Sequence, residues 1–237
     1  MAGKSTLDYF GKNVQVHMKA DDSPVTAADR NAEWILRRAI ESAYPGEAIL
    51  GEEEGESGSG SARWVLDPID GTKSFICGVP LFGTLVAFEE SGEPILGVAY
   101  FPALDEIVYA ERGQGAFWNG EPCHVSNKAS LEGSVISCGS HHSLNRYGKL
   151  NGLLSLADRT LATRSWSDAY GHMLVATGRV EAMVDPILAY WDIRAPMLIV
   201  REAGGKFTDF SGGTNPVDEG LSSNGLLHNT LIEAFRQ

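Results

Sequence analysis

The chain has 237 residues, 43% of them hydrophobic and 21% charged, which suits a soluble globular protein with a large core rather than a disordered or membrane-spanning one. A formal net charge of −12 argues against nucleic-acid backbones and anionic membranes as partners; it serves solubility, or it gathers acids as metal ligands. Three widely spaced cysteines, Cys77, Cys123 and Cys138, suggest neither a disulfide framework nor a zinc knuckle, and the start MAGKSTLDYF lacks a signal-like apolar run, so the expected setting is reducing and cytoplasmic.

Few residues precede KADDSPVTAAD, which leaves room for at most a short helix around Leu7–Phe10. Residues 26–44 carry apolar side chains at Ala32, Ile35, Leu36, Ala39, Ile40 and Ala43, which is helical spacing. Thr26 is the candidate N-cap with Asp29 three residues on, and Pro45-Gly46 ends the helix. AILGEEEGESGSGSA starts as a strand and becomes an acidic Gly/Ser-rich loop, expected to be mobile from about Glu54 to Ser61. RWVLDPI reads as a short buried strand that Pro68 stops. GTLVAFEE, PILGVAYF, EIVYAER and GAFWNG predict an antiparallel meander, with turns at SGE, PALD and GQG.

After about residue 130 the pattern alternates. SVISCG, RTLATRS and VEAMVD read as strands. LNGLLSLA, DAYGHMLVATG and WDIRAPMLIVREAGG read as helices, the last stopped by Gly204-Gly205. The reading is an α+β lobe over 1–130 followed by an α/β lobe over 131–237.

The stretch WVLDPIDGTKSF places Asp67 and Asp70 straight after an apolar strand. At a strand end, such side chains reach the crevice beside the sheet. Gly71 lets a ligand approach the backbone, and Thr72 can start a helix whose free N–H groups receive a phosphate. Two neighbouring carboxylates repel unless a cation joins them, and Mg²⁺ takes oxygen ligands of this kind. The same residues could equally form a solvated Asx turn. Glu52 follows a short strand and either reaches the same crevice or belongs to a solvated triple-Glu loop. Asp192 and Asp29 stand at helix starts, where a dipole-favoured or capping acid is the plainer account. The six histidines show no HExxH pattern and read as surface or packing residues, although His141-His142 could line the cleft; Trp34, Trp118 and Trp166 read as core or interface.

Taken together, WVLDPIDGTKSF, WDIRAPMLIVREAGG, DDSPVTAAD and ILGEE resemble, in order and over almost the whole chain, the motifs of the inositol monophosphatase family of Mg²⁺-dependent, lithium-sensitive phosphatases. The resemblance implies an α+β fold, a layered α/β/α/β/α sandwich, acting on a small phosphorylated substrate and typically dimeric. It implies two to three Mg²⁺ ions. Glu52 and Asp67 would hold the first with the Ile69 carbonyl, Asp67, Asp70 and Asp192 the second, and Glu52 would touch a third. Thr72, hydrogen-bonded to Asp29, would orient and deprotonate the attacking water. The Gly71 and Thr72 amides would hold phosphate oxygens, Asp70 would also contact substrate, and Lys19 would lie beside the metal waters. Ser74, Arg194 and Pro196 depart from the family pattern; Arg194 bears on packing or substrate access, and Pro196 is expected in the first turn of its helix.

Substrate choice turns on Asp168, where inositol monophosphatases generally carry a small or hydroxyl residue. An acid there, with the ending SSNGLLH, is similar to the histidinol-phosphatase branch, and it suits a cationic amine. Capping a helix is its alternative role. Asp185 matches the family's substrate-hydroxyl acid. Histidinol phosphate therefore leads inositol 1-phosphate. A non-catalytic binding protein on the same fold is the other reading, although every metal ligand is present. A covalent aspartyl-phosphate route wants D-x-D, and the spacing of Asp67 and Asp70 does not supply it.

Overall fold

The computed structural model describes residues 1–12, 15–18, 24–166 and 168–236. Helix α1 (Ala2–Thr6) opens the chain, one turn earlier than expected; Leu7–Phe10 instead form turns, with Leu7 N–H on the Lys4 carbonyl and Tyr9 N–H on that of Thr6. Two-residue strands β1 (His17–Met18) and β2 (Pro24–Val25) pair antiparallel and lead into α2 (Ala27–Ala43). The expected cap is formed: Thr26 Oγ1 accepts from Ala28 N at 3.1 Å, and Asp29 Oδ2 accepts from Thr26 N at 2.8 Å.

The first sheet contains β3 (Ala48–Gly51), β4 (Gly55–Ser57) and β5 (Ala62–Asp70). Helix α3 (Thr72–Ile76) follows, and then β6 (Gly83–Glu90), β7 (Glu93–Phe101), β8 (Glu106–Glu111), β9 (Ala116–Trp118) and β10 (Glu121–Cys123). Their order is β10-β9-β8-β7-β6-β5-β3-β4, antiparallel except for the β3–β5 pair. Two expectations are corrected. Residues 55–57 are a strand on β3 rather than a mobile loop, because Arg37 of α2 donates to the Gly55 carbonyl and to Ser57 Oγ. Pro68 does not stop β5 either. The strand continues to Asp70 with a shifted register between Asp67 and Asp70, where the missing N–H costs no ladder bond, and the Pro68 carbonyl accepts from Thr84 Oγ1 at 2.8 Å.

The second sheet begins with β11 (Val135–Cys138). Helices α4 (His141–Arg146) and α5 (Leu150–Ala157), strand β12 (Ala162–Arg164), helix α6 (Asp168–Ala176), strand β13 (Ala182–Asp185) and helix α7 (Tyr190–Glu202) follow. Strands β14 (Lys206–Thr208) and β15 (Gly220–Ser223) and helix α8 (His228–Phe235) complete the chain. The order is β12-β11-β13-β15-β14; the first three strands are parallel and the last two join antiparallel.

Helices α6 and α7 lie between the sheets, α7 packing on β5–β8 and on β14 and β15. Both are buried all round, from Ala169 to Ala176 and from Ile193 to Val200, as expected of helices sandwiched between two sheets. The main core runs through them, joining Val65, Leu85 and Phe101 to Met173, Ile193 and Met197. Helices α1 and α2 cover the outside of the first sheet, and α5 and α8 pack together over a second cluster of Leu153, Leu156, Leu231 and Phe235. The result is the α/β/α/β/α sandwich. Helix α7 approaches β7 closely: a Cβ on Gly97 would lie 2.9 Å from the Ala195 carbonyl oxygen. Pro196 is the seventh residue of α7, not in its first turn, so the Asp192 carbonyl loses its helical N–H partner. No helix among the described residues is long and apolar enough to cross a membrane.

Candidate active site

Strands β3 and β5 run parallel, and both end at one cavity of about 210 Å³. Glu52 stands just past β3, and Asp67, Ile69 and Asp70 form the end of β5. Gly71 caps α3 with φ 77°, a left-handed conformation that glycine adopts without strain. Opposite them, Asp168 begins α6 and Asp192 lies in the first turn of α7. Thr72, Lys73, Ala189 and Trp191 complete the wall.

The acids are fixed by main-chain donors. Asp70 Oδ2 accepts from Ala169 N at 2.9 Å, which ties the first sheet to the start of α6 across 99 residues of sequence. Asp192 Oδ2 accepts from Ala189 N at 2.8 Å, so its expected helix-start role and its place in the cavity coexist. Asp168 has φ 61°, and a Cβ on Gly71 would sit 3.1 Å from its Oδ2, so its carboxylate stands over the strand-to-helix turn.

Among the described residues, five carboxylates, Glu52, Asp67, Asp70, Asp168 and Asp192, and the ammonium group of Lys73 line the cavity. Burial pushes Asp67 well above the usual carboxylate range, with repulsion from Glu52, Asp192 and Asp70 adding to it. Asp70 is pushed up in the same way by burial and by Asp168 and Asp192. Asp192 is raised to about 7, mainly by burial, against the hydrogen bond from Ala189. Such a cluster holds protons or cations at neutral pH. Asp67, Asp70 and Asp192 bring one oxygen each within 4.8 Å of one another, and Asp67 Oδ1 is buried without a hydrogen-bond partner. An all-oxygen set of this kind fits a hard divalent cation.

The remaining expected residues lie beside this cavity. Asp29 is buried, is raised by that burial and feels the charge of Glu52. Its Oδ2 serves Thr26 and its Oδ1 has no partner, while Thr72 Oγ1 donates to the Ile69 carbonyl at 3.1 Å. Thr72 thus makes a local hydrogen bond in place of the expected one to Asp29, whose Oδ1 stays open while Oδ2 serves the helix cap. Packing of Ala28 with Ile69 and Phe75 keeps the two residues in one neighbourhood. Asp185 is buried behind Asp168 and is pushed up by burial, Asp168 and Asp192. Lys19 lies outside the described residues.

Arg194 points away from the cavity. Its Nε donates to Glu89 Oε2 and its Nη1 to Asn215 Oδ1, both at 2.9 Å, and it also donates to the Gly92 carbonyl. Glu89 accepts in addition from Arg63 Nε at 2.6 Å and from Tyr190 OH at 2.8 Å, so the start of α7 is anchored to the end of β6. Lys73, Trp191 and the Ala169 amide were missed by sequence reasoning. The first two sit inside the quoted motifs and could have been found there, whereas the third is a main-chain contact with no sequence signal.

A model of the inositol monophosphatase family matches residues 1–237. The chain is 47% identical to a histidinol-phosphatase of Chlorobaculum parvum, over 99% of this chain and 92% of that relative. It is 37% identical to an inositol-1-monophosphatase of Mesorhizobium japonicum, over 100% and 92%. It superposes on an IMPase of Thermotoga maritima with a TM-score of 0.91 at 38% identity, covering 99% of this chain and 92% of that one.

Proposed function

The chain belongs to the inositol monophosphatase family and is a phosphoric monoester hydrolase, and we propose that its substrate is histidinol phosphate and its metal Mg²⁺. The observation that carries the substrate is Asp168, a carboxylate on the cavity wall beside Gly71. Histidinol phosphate has a cationic amine, which gains a charge-assisted hydrogen bond there. Inositol phosphate offers only hydroxyl groups. Asp185, buried and close enough to Asp168 to feel its charge, is a second carboxyl group near the selector. The likeness to a histidinol-phosphatase over nearly the whole chain supports the same choice.

Glu52, Asp67, Asp70, Asp192 and the Ile69 carbonyl are the oxygen donors for two to three Mg²⁺ ions. Bound there, the metal supplies positive charge for the phosphate and a water acidified towards neutrality. Gly71 and Thr72 present main-chain N–H groups to the phosphate oxygens at the start of α3. Asp29, its proton affinity raised by burial and its Oδ1 open, receives the proton of the attacking water through Thr72. For this the Thr72 hydroxyl turns from the Ile69 carbonyl towards Asp29. Lithium sensitivity, a homodimer and a cytoplasmic place in histidine biosynthesis belong to the same reading.

Phosphate release from histidinol phosphate, inositol 1-phosphate, fructose 1,6-bisphosphate and 3′-phosphoadenosine 5′-phosphate, with and without Mg²⁺, tests the proposal. Metal-dependent release with histidinol phosphate preferred is the expected result. A preference for inositol 1-phosphate would leave the metal chemistry standing and remove the selector role of Asp168.

A further inference from the structure

Helix α2 turns a stripe of buried polar side chains towards the site. Asp29, Glu33 and Arg37 recur every fourth residue, which places them on one face, and they are 1%, 0% and 6% exposed. Asp29 belongs to the helix start. Glu33 belongs to the turn after β3: its Oε2 accepts from Glu53 N at 2.7 Å, and its Oε1 accepts from Glu54 N at 3.1 Å. Arg37 balances its charge through Nε at 2.8 Å and extends the brace, Nη1 reaching Ser57 Oγ at 2.9 Å and Nη2 the Gly55 carbonyl at 2.5 Å. The Glu52 amide donates to the Leu66 carbonyl at 3.2 Å. The backbone of Glu52 is thus gripped by β5 on one side and by Glu33 on the next two amides. Gly51 makes room for this: a Cβ there would lie 2.2 Å from Glu33 Oε1.

Glu52, Glu53 and Glu54 form the hairpin turn between β3 and β4, closed by the Gly51–Gly55 pair, and carry like charges side by side. A carboxylate arriving from another element and accepting two successive N–H groups holds that turn from outside. We propose that Glu33 is a positioning residue for the metal site, and that it holds the turn so that the Glu52 carboxylate faces Asp67. This rests on the reading of Glu52 as a metal ligand. Loss of an outer partner of a ligand typically weakens metal binding by 10- to 100-fold.

The test is calorimetric titration of Mg²⁺ into the metal-free full chain, alongside steady-state kinetics at saturating metal. Glu33→Gln is expected to weaken Mg²⁺ binding by about tenfold or more while kcat at saturating Mg²⁺ stays within about twofold. Gly51→Ala, which displaces Glu33 without changing any charge, should weaken binding in the same direction. Ile40→Ala removes core packing against Ile49 and Leu66 from the same helix; it should lower the melting temperature and leave Mg²⁺ affinity unchanged. If Glu33→Gln does not fold, Gly51→Ala and Arg37→Met carry the test. Glu52→Gln separates the two layers of the argument. Wild-type Mg²⁺ affinity in Glu52→Gln would overturn the ligand reading and the proposal with it. Weakened affinity in Glu52→Gln, with wild-type affinity in Glu33→Gln and Gly51→Ala, would overturn the positioning role alone. A loss of affinity in Ile40→Ala equal to that in Glu33→Gln would reduce Glu33 to a general stabiliser and also overturn it.

Discussion

The two walls of the cavity are built differently. One consists of strand ends: Glu52 after β3, and Asp67 and Asp70 on β5, all within 19 residues of sequence and locked into one sheet. The other consists of helix starts: Asp168 on α6 and Asp192 on α7, brought in by the second half of the chain. A sheet edge sets the spacing of its side chains through a hydrogen-bonded ladder, so the strand wall is rigid and suited to fixed charge geometry. A helix start can be re-aimed by its capping contacts. Asp192 is tied by Ala189, anchored through Arg194 to Glu89, and joins Asp67 and Asp70 in a group of acids that could hold a metal ion. Asp168 has a left-handed backbone and leans over Gly71. Under the proposed function, the strand wall and Asp192 would form the part every substrate meets, and Asp168 the part that can choose among substrates.

The hardest blow to this comparison would fall on the shared charge cluster. Asp67→Asn and Asp192→Asn should each reduce turnover by about 10³-fold or more, since each removes a charge that the metal site needs. Both should also raise the melting temperature of the metal-free protein, because each relieves repulsion among buried acids. Full activity in either variant would mean that the strand end and the helix start do not act on one ion set.

A smaller effect separates the walls. Asp168→Asn should leave Mg²⁺ affinity close to wild type and lower kcat/KM for histidinol phosphate by roughly 10- to 100-fold, the worth of one hydrogen bond to a charged group. Activity on inositol 1-phosphate should hold or rise. Parallel losses on both esters would place Asp168 with the common machinery instead.

The strand wall was the more legible one. Apolar runs ending in acids are short-range patterns, so Glu52, Asp67 and Asp70 could be read as reaching one crevice, and the helical spacing of residues 26–44 located Thr26 and Asp29 as its cap. What failed was whatever depended on contacts distant in sequence. The Gly/Ser-rich stretch after Glu54 read as mobile because nothing local holds it; Arg37, some 18 residues away, does. The strand appeared to end at Pro68 because a bulge has no sequence mark of its own. Arg194, which bears on packing or substrate access by its place in the sequence, serves packing, and the partner that shows this, Glu89, lies 105 residues away. Beyond Gly205, the short strands β14 and β15 went unread because they are completed by partners elsewhere in the sheet, and α8 because it is only two turns long and is held by packing on α5.

The smallest expected effect concerns how both walls respond to pH. Without metal, Asp67, Asp70 and Asp185 bind protons more tightly folded than unfolded, and Asp192 is raised to about 7. Raised carboxyl groups stabilise the fold below their ordinary value near 3.8, and that contribution is lost as pH rises through the folded value. Two buried histidines act in the opposite sense. Burial lowers His172 to about 3 and His228 to about 4, so their contribution is lost as pH falls towards those values and is complete above the unfolded value of about 6.5. The melting temperature of the metal-free protein alone mixes both trends. The difference between melting temperatures with and without Mg²⁺ does not, because the histidines are common to both states and only the carboxylates must release protons to the ion. That difference should widen as pH rises from 5, with the contribution of Asp192 levelling off above about 7 where it has already given up its proton. A constant difference across the range would show that none of these buried acids exchanges a proton for the ion, which would count against the strand ends and the helix start alike as metal ligands.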